Sequence, residues 1–199
     1  FNNVIQDGSP SNCIIITASS PELGGTTSNG DATYDGNSNY ILATNSSGTF
    51  NKPTGLTAMC WVNPDSPSNI DSPLAKWHSD TDKRPWSFYA QGGSTIMRSS
   101  LNASGSDINS GMKNGVWTHY AMTYDGSSHL MYSNSVLVGS NAYSSLLFTN
   151  NNALCVGVIR PNLGFKWHGG LDEPATFSRA LTYSEITNYY DTSKTALGF

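Results

Sequence analysis

Apolar and polar residues alternate in short runs along this chain, and turn-forming residues separate the runs at close intervals. From Leu56 to Val62, Thr57, Met59 and Trp61 face one way and Ala58, Cys60 and Val62 the other, the period-two pattern of a strand. Asp31 to Ala43 reads as a strand, a turn at Asp35-Gly36-Asn37, and a second run through Asn39-Tyr40-Ile41-Leu42. Trp86 to Tyr89 and Ser94 to Leu101 predict a meander joined through Gly92-Gly93. The clearest hairpin runs from Trp117 to Tyr124, turns at Asp125-Gly126, and continues through His129 to Tyr132 and Val136 to Gly139. Asp-Gly marks it because both central turn positions must tolerate positive φ. Cys155 to Ile159 and Leu171 to Phe177 complete the expected strands.

One segment has helical spacing. Leu181, Ile186 and Tyr189–Tyr190 share roughly one face, with Thr182 as N-cap and Glu185 three residues later as its capping-box partner. The spacing predicts a short helix over 181–190, with the polar tail from Asp191 packing back or docking on a neighbour. No charge run or Pro-rich tract divides the sequence, so residues 1–199 read as one domain. Many short strands with almost no helix argue for an all-β fold of two antiparallel sheets packed face to face.

Composition narrows the function classes. Hydrophobic residues are 37% and charged residues 12%, and Ser, Asn and Thr fill about a third of the 199 positions. An aromatic content of 11% and a net charge of −4 argue against disorder. The ten Lys and Arg are spread singly, which excludes a run of phosphate contacts and hence a nucleic-acid partner. No apolar stretch approaches a membrane span, so no membrane insertion is expected. The chain opens at Phe1 rather than Met, as a processed protein or a piece of a longer product does. Cys13, Cys60 and Cys155 have no metal-site spacing and read as three reduced, buried side chains, with one disulfide plus a free thiol as the alternative. A surface poor in Lys and Glu and rich in Asn, Ser and Thr suits an extracellular or virion-surface protein. Asn45-Ser46-Ser47 and Asn102-Ala103-Ser104 are glycosylation sequons.

Five blocks in order resemble a known family. Trp117-Thr118-His119-Tyr120-Ala121-Met122-Thr123-Tyr124-Asp125-Gly126 is similar to the W-x-H…Y-D-G hairpin of laminin-G-like, concanavalin-A-like sandwiches. Gly169-Gly170-Leu171-Asp172-Glu173, followed by Arg179-Ala180-Leu181 and Glu185-Ile186, resembles that family's closing segment. Tyr34-Asp35-Gly36-Asn37-Ser38-Asn39-Tyr40-Ile41, Ala58 to Pro64, and the opening loop Asp7 to Asn12 resemble its other blocks. The resemblance implies a two-sheet antiparallel jelly-roll sandwich with one short C-terminal helix, and leaves activity open. It also implies a site for calcium, with Asp7 and Asp172 on the matching positions. The residues around Val158 to Asn162 depart from the acidic run of the pentraxin double-calcium site.

Candidate chemistry follows from residue types. Only three glutamates exist, Glu22, Glu173 and Glu185, and no strand offers carboxylates at i and i+2, so a glycosidase pair is not expected. The chain therefore reads as no enzyme. Aromatic faces stack on sugars while Asn, Asp and His supply directional hydrogen bonds. Trp86, Trp167, Trp77, Tyr89, His78 and Asp80 are the expected ligand-binding residues, with Trp86 and Trp167 the leading pair and Trp61 and Trp117 as packing. The expected partners are glycans or neighbouring subunits of a larger assembly. The function read from sequence is a non-catalytic surface module for glycan adhesion or for decorating a virion or extracellular assembly. The alternative is a carbohydrate-binding appendage of a secreted polysaccharide-degrading enzyme.

Overall fold

The alternating runs become two antiparallel sheets whose apolar faces meet. A computed structural model describes residues 13–15, 32–36, 40–43, 48, 50–67, 70–77, 83–91, 95–160 and 164–198. In chain order the strands are β1 (Cys13–Ile15), β2 (Ala32–Asp35), β3 (Ile41–Ala43), β4 (Leu56–Pro64), β5 (Leu74–Lys76), β6 (Trp86–Ala90) and β7 (Ile96–Leu101). β8 (Ser106–Gly111), β9 (Thr118–Tyr124), β10 (Ser128–Ser133), β11 (Val136–Ala142), β12 (Leu154–Val156), β13 (His168–Phe177) and the helix α1 (Tyr183–Leu197) follow. The first sheet has seven strands in the order β1-β13-β4-β9-β10-β11, with β2 also paired to β13. The second has six, in the order β3-β12-β5-β6-β7-β8. This is the expected jelly-roll sandwich.

Alternation decides which side chains fill the interior. Ala58, Cys60 and Val62 of β4 and Tyr120, Met122 and Tyr124 of β9 point inward from the first sheet. They meet Leu74, Trp86, Phe88, Ala90, Met97 and Leu101 of the second in one buried cluster. Cys60 and Cys155 are buried free thiols, as expected; the side chain of Cys13 lies outside the described residues.

Some interior positions are polar and are matched to one another. His129 places its two ring nitrogens 3.1 and 3.0 Å from the hydroxyls of Ser99 and Ser106. Lys76 is fully buried and donates from Nζ to the Asn150 carbonyl at 3.2 Å, and also to the Asn150 side-chain oxygen and the Asn152 carbonyl. Burial lowers its pKa to about 8.

Several elements differ from the sequence reading. The runs flanking Asp35-Gly36-Asn37 do not pair with each other: β2 joins β13 in the first sheet and β3 joins β12 in the second. β5 was not expected, nor was β8, because Ser106-Asp107-Ile108-Asn109-Ser110-Gly111 carries a single apolar side chain.

The helix is longer than its apolar spacing suggests, running 15 residues to Leu197. The segment after Asp191 contains no breaker until Gly198, which adopts a left-handed conformation (φ 78°) and donates to the carbonyls of Lys194 and Thr195. The expected tail is therefore helix. α1 covers the outer face of the first sheet, where Met59, Ala121, Tyr132, Ala175 and Phe177 pack against Leu181 and Ile186. Trp61 stacks on Tyr190 with centroids 5.4 Å apart and donates from Nε1 to Ser193 Oγ at 2.8 Å.

The predicted capping box is present. Thr182 Oγ1 accepts from the Glu185 amide at 3.3 Å, and Glu185 Oε2 accepts from the Thr182 amide at 2.8 Å. Arg179 donates to the same carboxylate, and these contacts hold Glu185 down to a pKa of about 2. Thr182→Ala should cost about 1 kcal/mol, a fall in Tm of roughly 2–4 °C by calorimetry at neutral pH. An unchanged Tm would mean the cap carries no stability.

Candidate functional site

With α1 sealing one side of the sandwich, the outer face of the second sheet is the side with clustered chemistry. Tyr89, Arg98 and Asn109 lie directly opposite one another across β6, β7 and β8. Arg98 is the hub of this row. Its Nε donates to Asn109 Oδ1 at 2.8 Å, its Nη1 to the Tyr89 hydroxyl at 3.2 Å and to Asp107 Oδ2 at 3.4 Å, and its Nη2 to Gln91. The guanidinium also lies over the Tyr89 ring, 5.6 Å from its centroid. Burial raises the Tyr89 pKa and the Arg98 contact partly opposes that shift.

Beside this row is an apolar floor. Ala75, Tyr89 and Ile159 are buried there, with Ile70, Trp77 and Phe165 half-covered against them. Arg84 lies over the Trp77 ring at 4.6 Å and Arg160 over the Phe165 ring at 5.0 Å. The face thus combines part-buried aromatic rings with hydrogen-bonding groups held in place by cross-strand contacts.

The two leading tryptophans of the sequence reading are elsewhere. Trp86 is 2% exposed and Trp167 is fully buried, both in the main core. The parity of β6 sets Trp86 inward with Phe88 and Ala90 and leaves Tyr89 on the outside. Trp167 is fixed by its Nε1 bond to the Gly170 carbonyl at 3.1 Å. Neither offers a face to a sugar, and the expectation of a rim built on them is corrected. Trp77 and Tyr89 do come together, as expected. His78, Asp80 and Asp7 lie outside the described residues. Sequence reasoning missed Arg98, Asn109, Gln91, Arg84 and Arg160. For Arg98 the signal was present: it falls on the opposite parity to Met97, Ser99 and Leu101.

Asp172 is buried on β13 opposite Trp61, and its Oδ1 accepts the Glu173 amide at 2.8 Å where the strand bulges. Among the described residues no three His, Cys, Asp or Glu side chains converge, and Asp7, the other expected calcium ligand, lies outside them. The described glutamates serve the α1 side: Glu185 pairs with Arg179, and Tyr189 donates to Glu173 at 3.4 Å. His129 meets only serine hydroxyls, in the interior, and His119 is fully buried. Neither is placed to activate a nucleophile towards solvent.

A family profile described as the concanavalin A-like lectin/glucanases superfamily matches residues 35–187. The chain belongs to that superfamily. No curated protein matches it by sequence. Among solved structures it resembles domain 4 of AbnA, a GH43 extracellular arabinanase from Geobacillus stearothermophilus, in complex with arabinotriose. The identity is 20%, over 79% of this chain and 75% of that one, with a TM-score of 0.59. The binding domain of botulinum neurotoxin serotype G is similar at 16% identity over 92% of this chain, with a TM-score of 0.65. Trypanosoma rangeli sialidase is similar at 12% identity over 84% of this chain, with a TM-score of 0.66. The chain spans 45% of the neurotoxin domain and 28% of the sialidase. At these identities the superfamily likeness is one of fold. No described helix is long and apolar enough to cross a membrane.

Proposed function

We propose that the chain is a non-catalytic binding module that holds glycans on the outer face of its second sheet. The observation that carries this reading is the Tyr89–Arg98–Asn109 row, a set of polar groups fixed in position beside an apolar floor. A sugar presents the same pairing, an apolar C–H face rimmed by hydroxyls. Groups already held by Arg98 lose little freedom when a ligand arrives. The module is proposed to work outside the cell, on an extracellular or virion surface.

The test is a glycan array on the 199-residue chain, run with calcium and then with chelator. Binding should survive chelation and fall about tenfold or more in Trp77→Ala and in Asn109→Ala. Binding that ignores both substitutions overturns the placement. Binding abolished by chelator would instead support calcium held through Asp7 and Asp172.

Two uses of such a module are each favoured by one observation. The likeness to an arabinanase domain crystallised with arabinotriose favours an appendage of a secreted polysaccharide-degrading enzyme. The exposed edge of β11, with Val136 63% and Leu137 49% exposed, favours contact with neighbouring subunits of an assembly.

A further inference from the structure

Arginine is scarce here and unevenly placed. The sequence has four arginines, and Arg84, Arg98 and Arg160 all lie over rings of the outer face of the second sheet: Trp77, Tyr89 and Phe165 respectively. The three rings belong to one apolar cluster around Ala75 and Ile159, so three guanidinium groups border a single patch. Against them the face sets Asp107, already bonded to Arg98, and Asp71, buried at the end of β6 where its carbonyl accepts the Ala90 amide. Among the described residues, positive charge is thus gathered on this face although the chain's net charge is −4.

The three arginines are used differently. Arg98 spends its donors on Asn109, Tyr89, Asp107 and Gln91, and so organises the face. Arg160 forms no hydrogen bond or ion pair among the described residues, and its Nε is buried without a partner. Its guanidinium carbon lies 5.0 Å from the centre of the Phe165 ring, and a side chain added at Gly164 would collide with it, the nearest approach being 2.6 Å to Nε. Glycine at 164 thus leaves room for this guanidinium. The terminal nitrogens of Arg160 are not buried in the same way and are left with no acceptor among the described residues. A guanidinium supported by a ring and left with free terminal donors offers the fork that recognises carboxylate and sulfate oxygens.

We propose that the glycan bound at this face is acidic, its carboxylate or sulfate groups being received by Arg160 with Arg84 beside the same floor. This rests on the glycan-binding reading above and adds the ligand's charge to it. Neutral sugars would use only the floor and the Arg98 network. An acidic one also meets the terminal guanidinium nitrogens of Arg160, which donate to no acceptor among the described residues.

The test is isothermal titration calorimetry of the full chain with four probes: an oligogalacturonate, a heparin-derived oligosaccharide, a neutral arabino-oligosaccharide of matching length, and polyglutamate. An acidic oligosaccharide should bind about tenfold or more tighter than the neutral one, weakening as salt is added. Arg160→Gln should bring the two within about threefold, and Arg160→Lys should recover part of the preference because charge returns without the fork. A preference for the oligogalacturonate, whose only anionic group is the carboxylate, supports carboxylate as the group received, and a preference for the heparin-derived probe supports an acidic ligand of either kind. Neutral and acidic probes binding equally, both weakened by Trp77→Ala, would overturn the acidic-ligand inference and leave the glycan reading standing. Polyglutamate binding as tightly as the acidic sugars, or an acidic preference intact in Arg160→Gln, would also overturn it. Silence towards every oligosaccharide would overturn both readings together.

Discussion

Lowering the pH from 7 to 5 should remove about 4 kcal/mol from the unfolding free energy of this domain. The cause is two buried histidines. His119 is enclosed by Trp61, Tyr189 and Tyr190 under α1, and burial lowers its pKa from 6.5 to about 3. His129, inside the sandwich, is lowered to about 4, also by burial. Above pH 6.5 both are neutral in the folded and unfolded chain, and neither makes stability depend on pH. Below 6.5 the unfolded chain takes up two protons that the folded chain refuses. Stability then falls by about 1.4 kcal/mol per pH unit for each histidine, until the folded values near 4 and 3 are reached. Glu173, raised by burial, acts with the opposite sign, but only in the carboxylate range at the lower end of this window. Urea unfolding at pH 7 and pH 5 measures the difference. Both ring nitrogens of His119 are buried without a hydrogen-bond partner, so His119→Phe removes a titrating group and two unmatched polar atoms while keeping a flat ring under the helix. That variant should be more stable than the parent by about 1–2 kcal/mol at pH 7 and show roughly half the pH dependence. A parent equally stable at both pH values would show that the two rings are wetter than their packing implies.

Gly169→Ala should be the most damaging single-methyl change in the sheet region, costing about 4 kcal/mol or more. Gly169 begins the β13 segment that pairs with β4, directly opposite Pro64, and its φ of 131° is one that side-chain-bearing residues rarely adopt. A Cβ there would stand 2.2 Å from the Asn63 carbonyl oxygen, 2.8 Å from the Asp65 nitrogen and 2.9 Å from Pro64 Cα. All three are backbone atoms, so no side-chain rotation relieves the clash, and the β13–β4 pairing itself has to part. Gly111 is the control, because a Cβ there meets nothing within 4 Å. Thermal unfolding should place Gly111→Ala near the parent and Gly169→Ala at least roughly 8–16 °C below it, or leave the latter insoluble. A shift of under about 2 °C for Gly169→Ala would mean that the strand end slides easily, against the observed register.

The pattern of legibility in the sequence has physical causes. Asp125-Gly126 and the Thr182/Glu185 box were readable because each is a local device whose residues sit within a few positions of their partners. β8 was not, because its inward positions are Ser106, Ile108 and Ser110, and serines enter a core only when something across the interior, here His129, bonds one of them. The two strands around Gly36 looked like a hairpin because periodicity records which residues are strands and is silent on the sheet each one joins. The tryptophans misled for a related reason. Trp86 and Trp167 border loops in sequence, and only strand parity and the bond to Gly170 place them inside. The site itself was half readable: ring types drew attention to Trp77 and Tyr89. The arginines over those rings, Arg84 and Arg98, come from separate segments and become neighbours only after folding.

α1 lies across the first sheet, and the aromatic, arginine-bearing face is on the opposite side of the sandwich. A tether joined after Gly198 therefore departs from the back of the molecule. Immobilised by that end on a resin or sensor surface, the domain stands with its proposed binding face turned to the solution. Copies fixed this way form an array facing one direction, which lets a long polymer touch several of them at once.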